Sequence, residues 1–145
     1  MKPVPDADTG PYWEGIAGGQ LRLQRCDACQ AVVFYPRAVC PRCLASPLRW
    51  FTAAGTGRIY SYTVAHRAFG EFASQAPFTV ALIDLDEGAR MMARIVDADP
   101  GAARIGLPVR MVVRPIGDAD LPCFQPAGPA PEKEPEKERE KEKAE

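Results

Sequence analysis

Between residues 20 and 128 the chain alternates apolar with polar positions or runs through short apolar stretches, which Gly, Pro and Asp separate. Many of the apolar residues are β-branched or aromatic, as is typical of strands joined by turns. The pattern predicts strands over residues 20–25, 31–35, 48–53, 58–66, 78–85, 90–96, 109–116 and 122–124. The fold class is therefore predicted to be mainly β.

A short helix is predicted ahead of the strands. Thr9 suits the N-cap and Pro11 suits the first turn. Tyr12 and Trp13 follow at helical positions, and Gly18 ends the element. A helix of about two turns is marginal in isolation because nucleation is costly. Its two large aromatic residues are therefore expected to pack either on the rest of this chain or in a groove of a partner.

The strongest chemical signal is a set of four cysteines. Cys26 and Cys29 form one Cys-x-x-Cys pair, and Cys40 and Cys43 form a second pair after ten intervening residues. Two such pairs can bring four thiolates to one ion in tetrahedral geometry; two disulfides or four ordinary buried cysteines are the alternatives. Because four sulfur ligands leave no open position, the predicted site is structural, with zinc favoured over iron.

The strands and cysteine pairs together predict the domain organisation. A strand–knuckle–strand–knuckle order is that of a zinc ribbon. Five short strands over about 70 residues fit a small closed barrel such as the OB-fold, with an open sandwich as the alternative. The predicted segments are an N-terminal arm and short helix (1–19), a zinc ribbon (20–53), an OB-fold (54–128) and a disordered charged tail (129–145).

Charge is distributed unevenly. The net charge is −1, but residues 131–145 hold seven Glu, four Lys and one Arg, so the rest of the chain has a net charge of +1. Residues 20–70 contain seven Arg and a single acid, Asp27. Arginine suits bidentate recognition of phosphate or carboxylate, whereas arginines that only solubilise the chain or pair with an acidic partner are the alternative. The candidates for phosphate contacts are Arg25, Arg37, Arg42 and Arg58.

No apolar run has the length of a secretory signal or of a membrane span, which takes roughly 18 residues. A soluble, cytoplasmic protein is therefore expected. In that reducing compartment thiols persist, which favours a metal over disulfides at the two cysteine pairs.

Little else in the chain suggests catalysis. His66 is the only histidine, and no nucleophile or carboxylate motif accompanies it. It is expected to form a hydrogen bond at a strand end, or to touch substrate or a partner, rather than to act as a catalyst. Cys123 is expected to be a small buried residue. Asp84 and Asp86 alternate along a strand, which fits a solvated strand end better than an acid–base pair.

Several segments are distinctive in their order and spacing: residues 12–15 (YWEG), 19–26 (GQLRLQRC), both knuckles, 57–64 (GRIYSYTV) and 105–109 (IGLPV). Through them the sequence resembles the acyl-CoA-associated OB-fold family with an N-terminal rubredoxin-like zinc ribbon. The likeness extends over residues 11–127. It implies a companion subunit of thiolases, 3-hydroxy-3-methylglutaryl-CoA synthase pathways, steroid side-chain aldolases or MaoC-type enoyl-CoA hydratases, in lipid, aromatic or steroid degradation.

The resemblance implies that a thiolase-fold or MaoC-type partner carries the catalytic residues of a hetero-oligomer. The ribbon and barrel would brace that complex and help enclose an acyl-CoA, so this chain is expected to be non-catalytic by itself. The residues expected to contact CoA or the partner are Tyr12, Trp13, Arg25, Arg37, Arg42, Arg58 and His66. The competing interpretation is a single-stranded nucleic-acid-binding module, against which the nearly neutral charge argues.

Overall fold

The computed structural model describes residues 2–128, so the tail predicted over 129–145 lies outside the described residues. Within residues 2–128 the chain forms one α-helix, eight strands and two short 3-10 helices, Gly70–Gln75 and Pro100–Ala102. The predicted mainly β class is confirmed. The elements are α1 Gly10–Ala17, β1 Arg22–Cys26, β2 Val32–Val33, β3 Leu48–Thr52, β4 Thr56–Ala65, β5 Phe78–Leu85, β6 Arg90–Ile95, β7 Pro108–Ile116 and β8 Ala119–Pro126.

Helix α1 turns its apolar face into the molecule, where Tyr12 and Ile16 are buried. Thr9 occupies the N-cap position as predicted, but its side chain does not cap a helix N–H. Thr9 Oγ1 instead donates to Asp6 Oδ1 at 2.8 Å and accepts from the Asp6 N–H at 3.0 Å. Gly19, with a φ of +75°, then turns the chain away from the helix in a conformation that suits glycine. No helix in the described part of the chain combines the length and apolarity needed to cross a membrane.

The ribbon is a three-stranded antiparallel sheet in the order β2-β1-β3. Strand β2 contains only Val32–Val33, and is therefore shorter than the predicted span of 31–35. The reason is that Phe34 and Tyr35 leave the sheet and pack on Tyr12 of α1, with ring centroids 5.8 and 5.5 Å from that of Tyr12. The helix is thereby attached to the ribbon through aromatic contacts.

Strands β4 to β8 form a closed barrel in the order β4-β5-β6-β8-β7, which is the predicted OB-fold and not an open sandwich. Gly57 of β4 stands opposite Leu85 of β5 on one side and Val109 of β7 on the other, which closes the barrel. Strands β6 and β8 are parallel, whereas the other neighbours in the barrel are antiparallel.

Strand β8 is longer than predicted. It covers Ala119–Pro126, whereas the sequence pattern indicated only 122–124. A two-residue turn at Gly117 and Asp118, with Gly117 at a φ of +64°, joins it to β7 as a hairpin. The pattern concealed this hairpin because Pro122 interrupts it, and proline is unusual inside a strand since it donates no ladder hydrogen bond.

One apolar core joins the helix, the ribbon and the barrel. Its fully buried members include Ile16, Leu21, Leu23, Ile83, Val109 and Phe124. A second, smaller buried cluster lies within the ribbon and consists of Cys26, Val33, Cys40 and Leu48. The ribbon sheet and the barrel therefore share a core, and the boundaries 1–19, 20–53 and 54–128 stay predictions about domains.

Candidate metal centre and its surroundings

The four paired cysteines converge at one end of the ribbon. Their Sγ atoms all lie within 4.8 Å of one another. The Sγ atoms of Cys26 and Cys43 are 3.5 Å apart, and those of Cys29 and Cys40 are 3.7 Å apart. Four sulfurs placed tetrahedrally at about 2.3 Å from a metal ion would be separated by about 3.8 Å. The cluster therefore fits a four-sulfur metal site.

The two cysteine pairs sit in knuckles of the same backbone design. In the first, the Gln30 N–H donates to the Cys26 carbonyl at 2.8 Å, and in the second the Leu44 N–H donates to the Cys40 carbonyl at 2.9 Å. Gln30 and Leu44, each four residues after the first cysteine of its pair, have φ values of +61° and +63°. Residues other than glycine rarely adopt this backbone conformation. Each knuckle therefore contains one strained residue, whose conformation the rest of the site must stabilise.

The electrostatics of the cluster favour a cation. The backbone N–H of Cys43, aided by that of Arg42 and opposed by burial, lowers the pKa of Cys40 to about 6. The Ala45 N–H lowers the pKa of Cys43, but hydrogen bonding to the Cys26 thiol and burial outweigh it and raise that pKa to about 12. The sulfur neighbours therefore favour the thiolate at Cys40 and the thiol at Cys43, and a bound cation is what allows all four to ionise together.

The arrangement is suited to holding an ion rather than to using it. Cys26 and Cys40 are fully buried, Cys29 is half-buried and Cys43 is exposed. With all four sulfurs directed at one point, an ion would keep no open coordination position for water or substrate. Such an arrangement suits a structural metal better than a catalytic one, and the structural role stays a prediction.

An aromatic cluster connects α1 to the ribbon. The ring centroids of Tyr12 and Trp13 are 4.9 Å apart, and those of Phe34 and Tyr35 are 5.5 Å apart. Trp13 Nε1 donates to the Tyr35 hydroxyl at 3.0 Å. Tyr12 is only 2% exposed, and its burial raises the pKa of its hydroxyl. Tyr12 is thus part of the core, Trp13 and Phe34 are half-buried against it, and Tyr35 is exposed.

The four arginines predicted as phosphate contacts have separate surroundings. The Arg25 guanidinium lies 4.9 Å from the centroid of the Phe51 ring. Arg37 is exposed, and its Nε donates to the Tyr35 carbonyl at 3.1 Å. Arg42 is exposed on the second knuckle. Arg58 is exposed on β4, and its Nη1 donates to the carbonyl of Gly106 at 3.0 Å.

The remaining candidate residues, His66, Asp84 and Asp86, lie at or next to the ends of strands. His66 is exposed directly after β4. Asp84 accepts two hydrogen bonds from Arg90, at 2.6 and 3.1 Å, and hydrogen bonding from Arg90 lowers the pKa of Asp84. Asp86 accepts a hydrogen bond from the Thr56 hydroxyl. The two aspartates thus fix strands rather than form an acid–base pair.

The sequence pattern did not identify two residues that organise this region. Gln24 is 5% exposed; its side chain accepts from the Arg37 N–H at 2.9 Å and donates to the Arg37 carbonyl at 3.1 Å. It thereby holds the segment between the knuckles to β1. Tyr35 carries the surface end of the aromatic cluster. Only the aromatic pair at Phe34 and Tyr35 was a usable signal, since Gln24 looks like an ordinary outward residue of an alternating strand.

A ribbon with a closed four-cysteine site, joined to a five-stranded OB barrel, defines the class of zinc-ribbon OB-fold proteins. Residues 13–49 match the family model described as "ChsH2, rubredoxin-like zinc ribbon domain". Residues 50–114 match the one described as "ChsH2, C-terminal OB-fold domain". The chain belongs to the ChsH2 family, also called DUF35 among its relatives.

Two curated relatives differ in how much of them the chain covers. A "probable enoyl-CoA hydratase alpha subunit" of Thermomonospora curvata is 35% identical over 132 residues, which are 90% of this chain and 41% of that protein. A "DUF35 domain-containing scaffold protein" of Methanothermobacter thermautotrophicus is 41% identical over 97 residues, 66% of this chain and 73% of that protein. The chain therefore spans less than half of the hydratase subunit and most of the scaffold protein.

A solved structure named "Ltp2-ChsH2(DUF35) aldolase" contains a chain of the same fold. It superposes with a TM-score of 0.74 at 34% sequence identity, covering 86% of this chain and 98% of that chain. The ribbon and barrel of this protein thus occur together in that aldolase, where they account for almost the whole matched chain.

Proposed function

We propose that this chain is a non-catalytic subunit that binds a thiolase-fold or MaoC-type enzyme, stabilises the complex and helps form its acyl-CoA site. The observation that carries the proposal is the 98% coverage of the chain matched in the Ltp2-ChsH2 aldolase. The matched chain of that aldolase consists almost entirely of the fold seen here. We infer that this protein is the same kind of subunit. The hydratase name of the Thermomonospora relative supports acyl-CoA chemistry in the assembly.

The metal that we propose for the four-cysteine site is zinc. A tetrahedral set of thiolates suits zinc and also iron, but an iron site of this kind would serve electron transfer. We infer a structural role instead. The smaller buried cluster of the ribbon consists of Cys26 and Cys40 with Val33 and Leu48, so it contains few apolar side chains. Zinc would supply the stability that so small a cluster cannot.

The surface that we propose for the partner is formed by Trp13 and Tyr35. Tyr35 is 39% exposed, and its hydroxyl holds the Trp13 indole in place through the hydrogen bond described above. Rigid aromatic residues of this kind are enriched at interface hot spots, because they bury a large area at a small entropic cost. Arg37 adjoins Tyr35, and Arg25, Arg42, Arg58 and His66 remain candidate contacts to the partner or CoA.

Replacing Trp13 with Ala tests this surface. The full chain is co-expressed with a thiolase-fold or MaoC-type subunit of the same host, and the complex is measured by size-exclusion chromatography and by its dissociation constant. Loss of a hot-spot tryptophan is expected to weaken the complex by about 30-fold or more, which corresponds to about 2 kcal/mol. The thermal unfolding midpoint and metal content of the variant show whether its fold is retained.

Phe69→Ala is the matched control for Trp13→Ala. Phe69 is 92% exposed and precedes the 3-10 helix that follows β4, and it has no part in the ring contacts of the aromatic cluster. Its replacement is expected to leave the complex intact. If Phe69→Ala weakens the complex and Trp13→Ala does not, the interface lies on the barrel loop and the proposed surface is wrong. If the wild-type chain and every such enzyme subunit elute separately, the companion function itself fails.

One of the exposed aromatic residues of the barrel, Tyr60, argues against the nucleic-acid alternative, whereas Tyr62 and Phe69 are exposed. A single-strand binder needs exposed aromatic faces on which bases stack. The Tyr60 ring is covered by the Arg90 guanidinium, whose Cζ lies 3.4 Å from the ring centroid. Arg90 is in turn paired with Asp84, so a base would have to break an ion pair and approach a carboxylate. The companion-subunit function is the better supported of the two, because the relatives that match over most of this chain are named as a hydratase subunit and as a chain of an aldolase.

A further inference from the structure

Among the five cysteines, which all lie in the described part of the chain, Cys43 alone is exposed. Cys26 and Cys40 are fully buried, and Cys29 is half-buried. The sulfur of Cys40 is further shielded because it accepts a hydrogen bond from the Arg42 N–H at 3.4 Å. A reagent that approaches the four-sulfur cluster from solvent therefore meets the sulfur of Cys43 first.

The exposed sulfur has a second sulfur within reach. Cys43 Sγ is 3.5 Å from Cys26 Sγ, and the sulfurs of Cys29 and Cys40 form the other close pair, 3.7 Å apart. A disulfide has an Sγ–Sγ distance of about 2.05 Å, so Cys43 and Cys26 would have to approach by about 1.5 Å. Cys26 ends β1, whereas Cys43 lies in the turn of the second knuckle. Cys43 is therefore the member of the pair that can move.

We propose that Cys43 is a site of reversible oxidation by hydrogen peroxide, and that Cys26 resolves the oxidised form as a Cys26–Cys43 disulfide. The thiolate is the form of cysteine that attacks such an oxidant, and cysteines that bind a metal are thiolates. The arrangement of an accessible sulfur beside a resolving cysteine is that of redox-sensitive cysteines in general.

The reaction takes place in two steps. The Cys43 thiolate attacks one oxygen of the peroxide, the O–O bond breaks, and a sulfenic acid and a hydroxide ion form. The Cys26 thiolate then attacks the Cys43 sulfur, the S–O bond breaks, and a second hydroxide ion leaves as the disulfide forms. Two protons from solvent convert both hydroxide ions to water. The two electrons that the thiolates lose are the two that the peroxide gains.

This oxidation removes two of the four sulfur ligands, because the sulfurs of a disulfide are no longer thiolates. Cys29 and Cys40 alone are too few to retain a tetrahedral ion. The segment between the knuckles carries Tyr35, which holds Trp13 through the hydrogen bond to its indole. Loss of the ion is therefore expected to loosen the proposed partner surface, a consequence that rests on the proposed function, whereas the oxidation site does not.

The test is treatment of the full, zinc-loaded chain with hydrogen peroxide. A chromophoric chelator measures the released zinc, and alkylation followed by mass spectrometry maps the thiols. We expect a peptide linked through Cys26 and Cys43, zinc release in step with it, and recovery after a dithiol reductant and added zinc. Cys123 is only 1% exposed and is expected to remain a thiol. An unmodified Cys43 in a chain that keeps its zinc, or oxidation that starts at another cysteine, would overturn the proposal.

Cys43→His and Cys29→His are a matched pair of variants. Three cysteines and one histidine form a common structural zinc site, so each variant retains a complete set of ligands. Cys43→His lacks the exposed sulfur and is expected to release zinc roughly 10-fold more slowly than the wild type under peroxide. Cys29→His keeps both Cys43 and Cys26 and is expected to release zinc at the wild-type rate. Equal rates for the two variants would contradict the role of Cys43. If either variant fails to bind zinc, the peptide map of the wild type decides.

The oxidised chain also separates this site from the companion function. After removal of the peroxide, the oxidised chain is expected to elute apart from the enzyme partner, and reductant with zinc is expected to restore the complex. A partner that stays bound to the chain with the mapped disulfide would refute the effect on the partner surface. A wild-type chain that binds no enzyme subunit would refute the companion function, while its peptide map still tests the oxidation site. An untreated chain without zinc would refute the proposed metal, and the same map then tests the disulfide.

Discussion

Replacing Cys40 with Ser is expected to abolish stoichiometric zinc binding and to unfold the ribbon. Cys40 is fully buried, and its Sγ is 3.7 Å from that of Cys29 inside the four-sulfur cluster. Structural zinc sites contribute about 10 kcal/mol or more, which equals or exceeds the whole stability of many domains. Zinc content by mass spectrometry of metals, together with thermal unfolding followed by circular dichroism, measures the effect. The wild type is expected to contain one zinc per chain and to be colourless, whereas iron would give visible absorbance.

Cys123→Ala is the control for that experiment, because Cys123 is the cysteine outside the two pairs and is 1% exposed. Its replacement is expected to keep the zinc and to cost about 1 kcal/mol of unfolding free energy. Burial also raises the pKa of the Cys123 thiol, as expected of an inert buried residue. A Cys40→Ser protein that unfolds at the wild-type temperature would show that the metal does not stabilise the ribbon.

Gly57→Ala is expected to destabilise the barrel where it closes. A Cβ at this position would overlap the carbonyl oxygen of Asp84 and lie 3.0 Å from Ile83 Cγ2. The obstacle is backbone, and β4 is hydrogen-bonded to a neighbour on each side here, so neither strand can move away cheaply. The expected cost is about 3 kcal/mol, at the upper end of the range for overpacking, with a fall in the unfolding midpoint of about 10 °C.

Gly101→Ala provides the comparison for Gly57→Ala. A Cβ at Gly101 would meet nothing within 4 Å, and the residue is exposed in a short 3-10 helix. Its unfolding free energy is expected to stay within about 0.5 kcal/mol of the wild type. Equal midpoints for the two glycine variants would mean that the β4–β5 contact is looser than the structure has it.

The cysteine site and the order of strands could be predicted because both are encoded locally. Two Cys-x-x-Cys pairs specify their own knuckles, and each barrel strand carries its own apolar pattern and turn residues. The side of the helix that packs inward was less accessible. Tyr12 and Trp13 are adjacent in sequence, yet Tyr12 is buried in the core and Trp13 reaches the surface beside Tyr35. Helical spacing alone did not decide between a core and a partner for them.

The features that sequence reasoning missed depend on long-range pairing. Arg94 and Arg114 line one cavity because β8 lies between β6 and β7, an order that no local signal specifies. The buried amide of Gln24 serves a backbone segment 13 residues further along the chain. By contrast, the turn that begins the longer β8 has a local signal in Gly117 and Asp118, although Pro122 conceals the strand that follows it.

We propose that this chain assists an acyl-CoA enzyme without catalysing the reaction itself. The most direct measurement is the steady-state turnover of an acyl-CoA by the purified thiolase-fold or MaoC-type partner, with and without the zinc-loaded chain, and by the chain alone. The chain alone is expected to show no turnover, and the rate of the partner is expected to rise when the chain is added in equimolar amount. Turnover by the chain alone, or a partner rate that does not respond to it, would contradict the account.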